Sequence, residues 1–407
     1  MCLRRGPFGL VTLVAGFLVT AWLILAITVD DSSINPPFGV VFDAKTPKTA
    51  KARRSEGPAT VQILVEAARE DLTVKAIEKP PPVGDDSPAG VSDQIRLTDE
   101  VGWVIQRPEN FTVHRGFEAN AHNYTYILNA ETLCNDLDPR RLRVLVFVET
   151  HVKNTERRKA IRKTWAQRAL QKALNYRVVF LFGNGGNETV QQAALLEHYF
   201  YGDVAQEDFP ERFENLSIKS VMGLKYAVTF CRSTDYVVKV DDDIYLHMPN
   251  VLKSFERHRR SPLKDNLICH RNRVKHILRP GKSLEVLRPK TMKYEVRDDV
   301  IPGSSFPPYC SGFSYGMSLR VARKLYEASL GTPLFFIEDV YVTGFCRHKA
   351  GVSLTDHPGM TLAPEVTQHN APCYFHFAER INSNEIGPQE MLDIWDAVNT
   401  AGFFCPK

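Results

Sequence analysis

Three consecutive aspartates, Asp241-Asp242-Asp243, follow directly on the apolar run Tyr236-Val-Val-Lys-Val240. Adjacent carboxylates repel one another, so crowding them at the edge of a core is costly unless a cation neutralises them. Oxygen ligands with open positions suit Mn²⁺ or Mg²⁺ carrying a diphosphate. If the apolar run is a strand, Asp241 and Asp243 share a face, and one can hold the metal while the other reaches hydroxyls of the ligand. The bland alternative is a solvated acidic turn. A second pair, Glu338-Asp339, follows Leu334-Phe-Phe-Ile337 and opens an apparent helix. Neighbouring carboxylates push each other's pKa apart, which helps one accept a proton near neutral pH. A carboxylate at a helix N-terminus also simply complements the helix dipole, and the residues alone leave these two readings even. Arg157, Arg158 and Arg162 form a third set, able to bind phosphate or to make an ordinary solvated helix face.

These groups need a scaffold. Leu142-Arg-Val-Leu-Val-Phe-Val148 and Tyr176-Arg-Val-Val-Phe-Leu-Phe182 are apolar runs of strand length, as expected for strands buried on both faces. Residues 155–172, 189–200, 213–230 and 248–260 read as helices, with Ile218, Val221, Leu224 and Val228 giving one of them a core face. Strands alternating with helices predict an α/β domain on a mostly parallel sheet covered on both sides. Ligands then bind beyond the carboxyl ends of the strands, where the aspartate triplet falls. The segment from Tyr309-Cys-Ser-Gly312 to Ser318 reads as a glycine-containing strand and turn, where the glycine allows close backbone approach to a ligand or marks a bulge.

The chain has 407 residues, and its 51 basic and 47 acidic side chains leave a formal charge of +4, so nothing in the composition suggests nucleic acid. From Phe8 to Val29 no residue is charged, long enough for a helix to cross a ~30 Å hydrocarbon layer. Arg4 and Arg5 before it, with Asp30 and Asp31 after it, orient the short N-terminus to the cytosol and the rest to the lumen. The expected organisation is a cytosolic tail at 1–7, a transmembrane signal anchor at 8–29, a luminal stem at 30–120 and a catalytic domain at 121–407. The stem is irregular, broken by Pro36-Pro37 and Pro80-Pro81-Pro82, with one short helix possible at 60–76. Sequons at Asn110, Asn123, Asn187 and Asn215 agree with a luminal, glycosylated chain. Apart from Cys2, the cysteines (Cys134, Cys231, Cys269, Cys310, Cys346, Cys373, Cys405) lie on the side where disulfides persist. Their number is odd, so one is free or pairs between chains, which leaves a homodimer open.

The run Arg157-Arg-Lys-Ala-Ile-Arg-Lys-Thr-Trp165 resembles the signature of the β1,3-glycosyltransferases, the family of β1,3-galactosyl- and β1,3-N-acetylglucosaminyltransferases, with Fringe more distant. Further matches follow in the family's order: Tyr201-Gly-Asp-Val204, Asp208-Phe209, Asn215-Leu-Ser-Ile-Lys219, Lys239-Val-Asp-Asp-Asp243, Tyr309-Cys-Ser-Gly312 and Glu338-Asp-Val-Tyr-Val342. One departure is Thr343, which stands before Gly344 where many members run straight from Val to Gly.

The resemblance implies a GT-A type, Rossmann-like nucleotide-sugar-binding domain, a Golgi membrane setting, a UDP-sugar donor and a glycan acceptor on glycoprotein or glycolipid. It implies Mn²⁺ held chiefly by Asp243, with Asp241 and Asp242 near the donor and His376 as a second ligand. Arg157, Arg158 and Arg162 would contribute to donor binding, and Tyr309, Ser311 and Gly312 would border donor and acceptor. Transfer with inversion needs a carboxylate to take the acceptor proton, and the resemblance favours Asp339 over Glu338. A non-catalytic luminal glycan-binding protein or chaperone is the rival expectation; such a protein would be expected to lose the triplet or the base, and both are intact. A Rossmann oxidoreductase is rejected, because Glu149-Thr-His-Val-Lys-Asn154 stands where a GxGxxG would be needed.

Overall fold

The computed structural model describes residues 121–272, 276–281, 291–301, 303–362, 365–400 and 405. The expected anchor and stem, together with Cys2 and Asn110, lie outside these residues. No helix among the described residues is long and apolar enough to cross a membrane.

In chain order the strands are Tyr126–Leu128 (β1), Val144–Glu149 (β2), Tyr176–Asn184 (β3), Val204–Pro210 (β4), Tyr236–Asp241 (β5), Tyr245–Leu246 (β6), Leu267–Asn272 (β7), Tyr309–Ser318 (β8), Leu354–Asp356 (β9) and Asn382–Ser383 (β10). Eight of them form one sheet in the order β1-β4-β3-β2-β5-β8-β7-β9, and β10 pairs with β6. The four neighbours β4, β3, β2 and β5 run parallel. Beyond β5 the sheet changes character: β8 is antiparallel to β5 and β7 antiparallel to β8. The expected parallel sheet is therefore half of a mixed one.

Alternation along β2 shows why its residues are nearly all apolar. Val144, Val146 and Val148 enter one core, while Leu145 and Phe147 enter the other. The helix Leu216–Phe230 packs on one face of the sheet, and the helix Thr155–Lys163 (α1) belongs to the other. The expected helix at 155–172 is two helices, α1 and Arg168–Leu174 (α2). Between them the Trp165 indole N–H donates to the Ile244 carbonyl at 3.1 Å and the side chain is fully buried, so a tertiary contact ends α1. The remaining helices in order are Glu188–Tyr201 (α3), the Leu216–Phe230 helix already placed (α4), Met248–His258 (α5), Leu319–Leu330 (α6), a segment opening at Glu338–Val340 (α7), Ala371–His376 (α8) and Pro388–Asn399 (α9).

Disulfides join Cys134 to Cys231, Cys269 to Cys310 and Cys373 to Cys405. The odd thiol is Cys346, which is fully buried and so offers no bridge to a second chain.

Candidate active site

The parallel register pairs Phe147 with Lys239 and Glu149 with Asp241. Side-chain alternation then puts Glu149, Lys239 and Asp241 on the face covered by α4. Lys239 is almost fully buried. Its Nζ donates to Asp241 Oδ1 at 2.6 Å and to the Gly312 carbonyl at 2.6 Å, and lies 3.3 Å from Glu149 Oε2 and 3.6 Å from Glu338 Oε2. Burial works against its charge, but the three carboxylates outweigh burial and hold its pKa well above the usual lysine value. One cation thus faces three carboxylates, of which Glu149 and Glu338 are buried and Asp241 is part exposed. Desolvation accordingly raises Glu149, against the pull of Lys239 and with the push of Glu338. Ser220 Oγ lies within hydrogen-bond distance of both Glu149 Oε1 and Glu338 Oε1, the latter at 2.6 Å, and its single proton serves one of them at a time, while Tyr315 donates to the same Glu338 oxygen at 2.7 Å.

The triplet residues have separate fates. Asp241 is held by Lys239. Asp242 is buried, and its Oδ2 accepts from Thr150 Oγ1 at 2.6 Å and Asn154 Nδ2 at 2.8 Å, which fixes the turn between β2 and α1. Asp243 keeps its carboxylate about a third exposed; Arg157 Nη1 is 4.0 Å away, and burial followed by Asp242 raises its pKa. The backbone of Asp243 accepts from the Ile386 N–H at 2.8 Å. Arg157 closes this corner: its Nε lies 3.7 Å from Asp242 Oδ1 and its Nη1 donates to the Ile386 carbonyl at 3.3 Å.

The Glu338–Asp339 pair faces β8. Glu338 Oε1 is taken by Ser220 and Tyr315 as described. Asp339 is partly buried, and its Oδ1 accepts from the Val340 N–H at 2.8 Å. Desolvation first, and Glu338 second, push its carboxyl up to about 7. A Cβ on Gly312 would stand 3.2 Å from Asp339 Cβ and 3.3 Å from Glu338 Oε2, so glycine there lets the strand approach the pair. Tyr309, three residues earlier, accepts at its hydroxyl from Asn272 Nδ2 at 2.8 Å. Ser311 between them is buried.

Three further expected site residues have protein partners, and Arg158 Nη1 also reaches Thr150 Oγ1, the donor to Asp242, at 3.4 Å. Arg158 is buried, with Nε and Nη2 on the Glu197 carboxylate at 2.7 Å each and further bonds to the carbonyls of His151 and Val152. Arg162 bridges Asp203 and Glu197 and lies over the rings of Phe180 and Tyr201. Both guanidinium groups are thus engaged within the α1–α3 packing. His376 Nε2 bonds the Val398 carbonyl at 2.9 Å and its ring meets His247 edge-on. The C-terminal residue whose backbone meets the triplet is Ile386, because Ser383 pairs with Tyr245 in register. Among the described residues no three His, Cys, Asp or Glu side chains converge as a ligand set. Asp243 nevertheless fits a cation of the Mg²⁺ or Mn²⁺ type, which is commonly held by one or two carboxylates together with substrate phosphates. Sequence reasoning assigned no role to Lys239, Glu149 or Ser220; a lysine inside an otherwise apolar strand was the signal for the first of them.

The sequence pattern of the galactosyltransferase family matches residues 156–358, a span that holds α1, the triplet, Gly312 and the Glu338–Asp339 pair. The chain is 28% identical over 283 residues to beta-1,3-galactosyltransferase 1 of Mus musculus, covering 69% of this chain and 80% of that one. It is 31% identical over 282 residues to lactosylceramide 1,3-N-acetyl-beta-D-glucosaminyltransferase of Rattus norvegicus, covering 67% and 70%. A solved glycosyltransferase involved in glycosylation of the major capsid of PBCV-1 is a looser likeness, at 10% identity and a TM-score of 0.32, covering 63% of this chain and 98% of that one.

Proposed function

Because this chain belongs to the galactosyltransferase family of β1,3-linking hexosyltransferases, we propose that it moves galactose, or N-acetylglucosamine, from a UDP-sugar to a glycan hydroxyl in the Golgi lumen. The domain is read as a GT-A arrangement. The observation that carries the proposal is the double reach of Lys239, which touches Asp241 and lies beside Glu338. It ties a cation-ready carboxylate cluster and a proton-accepting pair to one end of the sheet.

Asp339 is the base. With Glu338 Oε1 in contact with the Ser220 and Tyr315 hydroxyls, Asp339 is the carboxylate left to take the acceptor proton, and a carboxyl pushed up to about 7 is a stronger base than an exposed aspartate while about half ionised at neutral pH. Inversion follows, since the acceptor oxygen attacks the anomeric carbon opposite the departing UDP. Asp243 is the residue to hold a divalent cation, Mn²⁺ in this reading, with Asp241 and Asp242 alongside it. A bound cation supplies neutralisation of the charge on the diphosphate. Arg157 adds a fixed positive charge at the same corner and Asp242 holds it in place.

The test measures UDP release by the detergent-solubilised full chain with Mn²⁺, each common UDP-sugar and a panel of glycan acceptors. Acceptor-stimulated turnover with one donor, abolished by chelation and in Asp243→Ala and Asp339→Asn, is the expected result. A folded chain that binds UDP but turns over no donor refutes it and favours a glycan-binding protein.

A further inference from the structure

A hydroxyl outside the reacting groups stands directly behind the Asp339 peptide. After Glu338–Val340 the segment α7 widens into a π-helical turn, Tyr341–Cys346, in which the Arg347 N–H reaches back to the Val342 carbonyl. Such turns hold one residue more than an α-helical turn and occur often at functional sites. Thr343 lies inside it and is fully buried. Its Oγ1 donates to the carbonyl of Asp339 and accepts from the backbone N–H of Cys310 at 2.8 Å. Back-bonding of a helical threonine to the carbonyl four residues earlier is ordinary. The second bond is not local: it joins α7 to β8, thirty-three positions away in sequence.

The place where that bond lands matters. β5 pairs with β8 only over Ser314 to Ser318, so the β8 residues from Tyr309 to Phe313 lack β5 alongside them. α7 packs there instead, with Gly312 against the Glu338–Asp339 pair. Arg347 ties the same turn from its other end, donating to the Thr343 carbonyl at 2.8 Å and to the Pro308 carbonyl at 3.2 Å. The turn is therefore pinned to the segment 308–310 at two points, immediately before the glycine that meets the carboxylates.

We propose that Thr343 is a positioning residue for transfer: its hydroxyl locks the peptide that carries Asp339 to β8 and so sets where the Asp339 carboxylate stands relative to Gly312 and an incoming acceptor hydroxyl. The inference rests on the reading of Asp339 as the base. Thr343 touches no substrate in this role; it acts through Asp339. Valine has nearly the shape of threonine but can neither donate nor accept, so Thr343→Val removes both bonds at constant packing. Serine keeps both.

Steady-state kinetics of the full chain test it, with melting temperatures measured alongside. Thr343→Val is expected to lower kcat by about tenfold to a hundredfold while acceptor and donor KM stay within about twofold, since a misplaced base weakens the transition state more than the ground state. Thr343→Ser is expected to restore kcat. Wild-type kcat in Thr343→Val, with Asp339→Asn inactive, overturns the inference and leaves the base in place. Activity in Asp339→Asn removes the base reading itself. Should Thr343→Val melt below the assay temperature, Thr343→Ala is read in the same way; if neither variant folds, the hydroxyl serves the fold and the inference fails.

Discussion

At the scale of single residues, the two carboxylates of the Glu338–Asp339 pair are distinguishable by their partners. Glu338 accepts from Ser220 and Tyr315 and lies beside Lys239, whereas Asp339 has a backbone N–H donor and a position poor in water. Burial and the negative charge of Glu338 hold Asp339 near 7, so the base is protonated and idle below that pH. The acid limb of kcat/KM in the wild-type protein should accordingly bend near pH 7. Asp339→Asn should lower kcat by about 10²–10⁴-fold, the usual worth of a positioned general base. Glu338→Gln should retain more turnover than Asp339→Asn and move the acid limb to lower pH, because it removes one of the two influences that raise Asp339. A pH–rate series on the three proteins checks this, and a dead Glu338→Gln beside an active Asp339→Asn would reverse the assignment. The triplet and this pair were legible in sequence because adjacent carboxylates after an apolar run are unusual. Which member of each stays open was suggested by the resemblance alone, since physically it depends on Lys239, Thr150, Asn154 and Ser220, residues that local spacing does not bring to the site.

At the scale of elements, the parallel half of the sheet was written in its uninterrupted apolar runs, and β2, β3 and β5 lie within a residue or two of the expected strands. The antiparallel half was legible only as the glycine-containing segment that is β8. One expectation failed, and one contact went unforeseen, for the same reason, long-range pairing. The break between α1 and α2 is fixed by Trp165 reaching Ile244, and the approach of Ile386 to the triplet is fixed by β10 pairing with β6. Periodicity along one segment carries neither. The departure at Thr343 was visible as an extra residue before Gly344, and in the structure that residue lies within the π turn of α7. β8 is the element on which the proposed chemistry leans most. Gly312→Ala would drive a Cβ to 3.2 Å from Asp339 Cβ, tighter than ordinary contact, and the strand is held in place there by β7 and by the Cys269–Cys310 disulfide. We expect Gly312→Ala to fold with little change in Tm and to lose about tenfold or more in kcat, because displacements near an ångström at the reacting groups are costly. Unchanged kcat would show that α7 can retreat from β8 without consequence.

At the scale of the whole molecule, three independent features bear on which side of a membrane the domain occupies. The described disulfides call for an oxidising compartment. Asn123 and Asn187 are exposed, and Asn187 caps α3 through Oδ1, which accepts from the Thr189 and Val190 N–H groups, so its Nδ2 is left to carry a glycan while the cap persists. The anchor expected at residues 8–29, with Arg4 and Arg5 before it and Asp30 and Asp31 after it, would orient the chain the same way. In sealed microsomes the full chain should therefore resist alkaline extraction, its domain should be protected from added protease until detergent is supplied, and endoglycosidase should lower its apparent mass. Asn123→Gln and Asn187→Gln should each remove one step of that shift. Asn187→Gln should also destabilise the domain by about 1 kcal/mol, because glutamine caps a helix poorly. A chain digested without detergent and lacking glycans would place the disulfides and the proposed chemistry on the reducing side, where neither UDP-sugar transfer in the Golgi lumen nor these cross-links could be sustained.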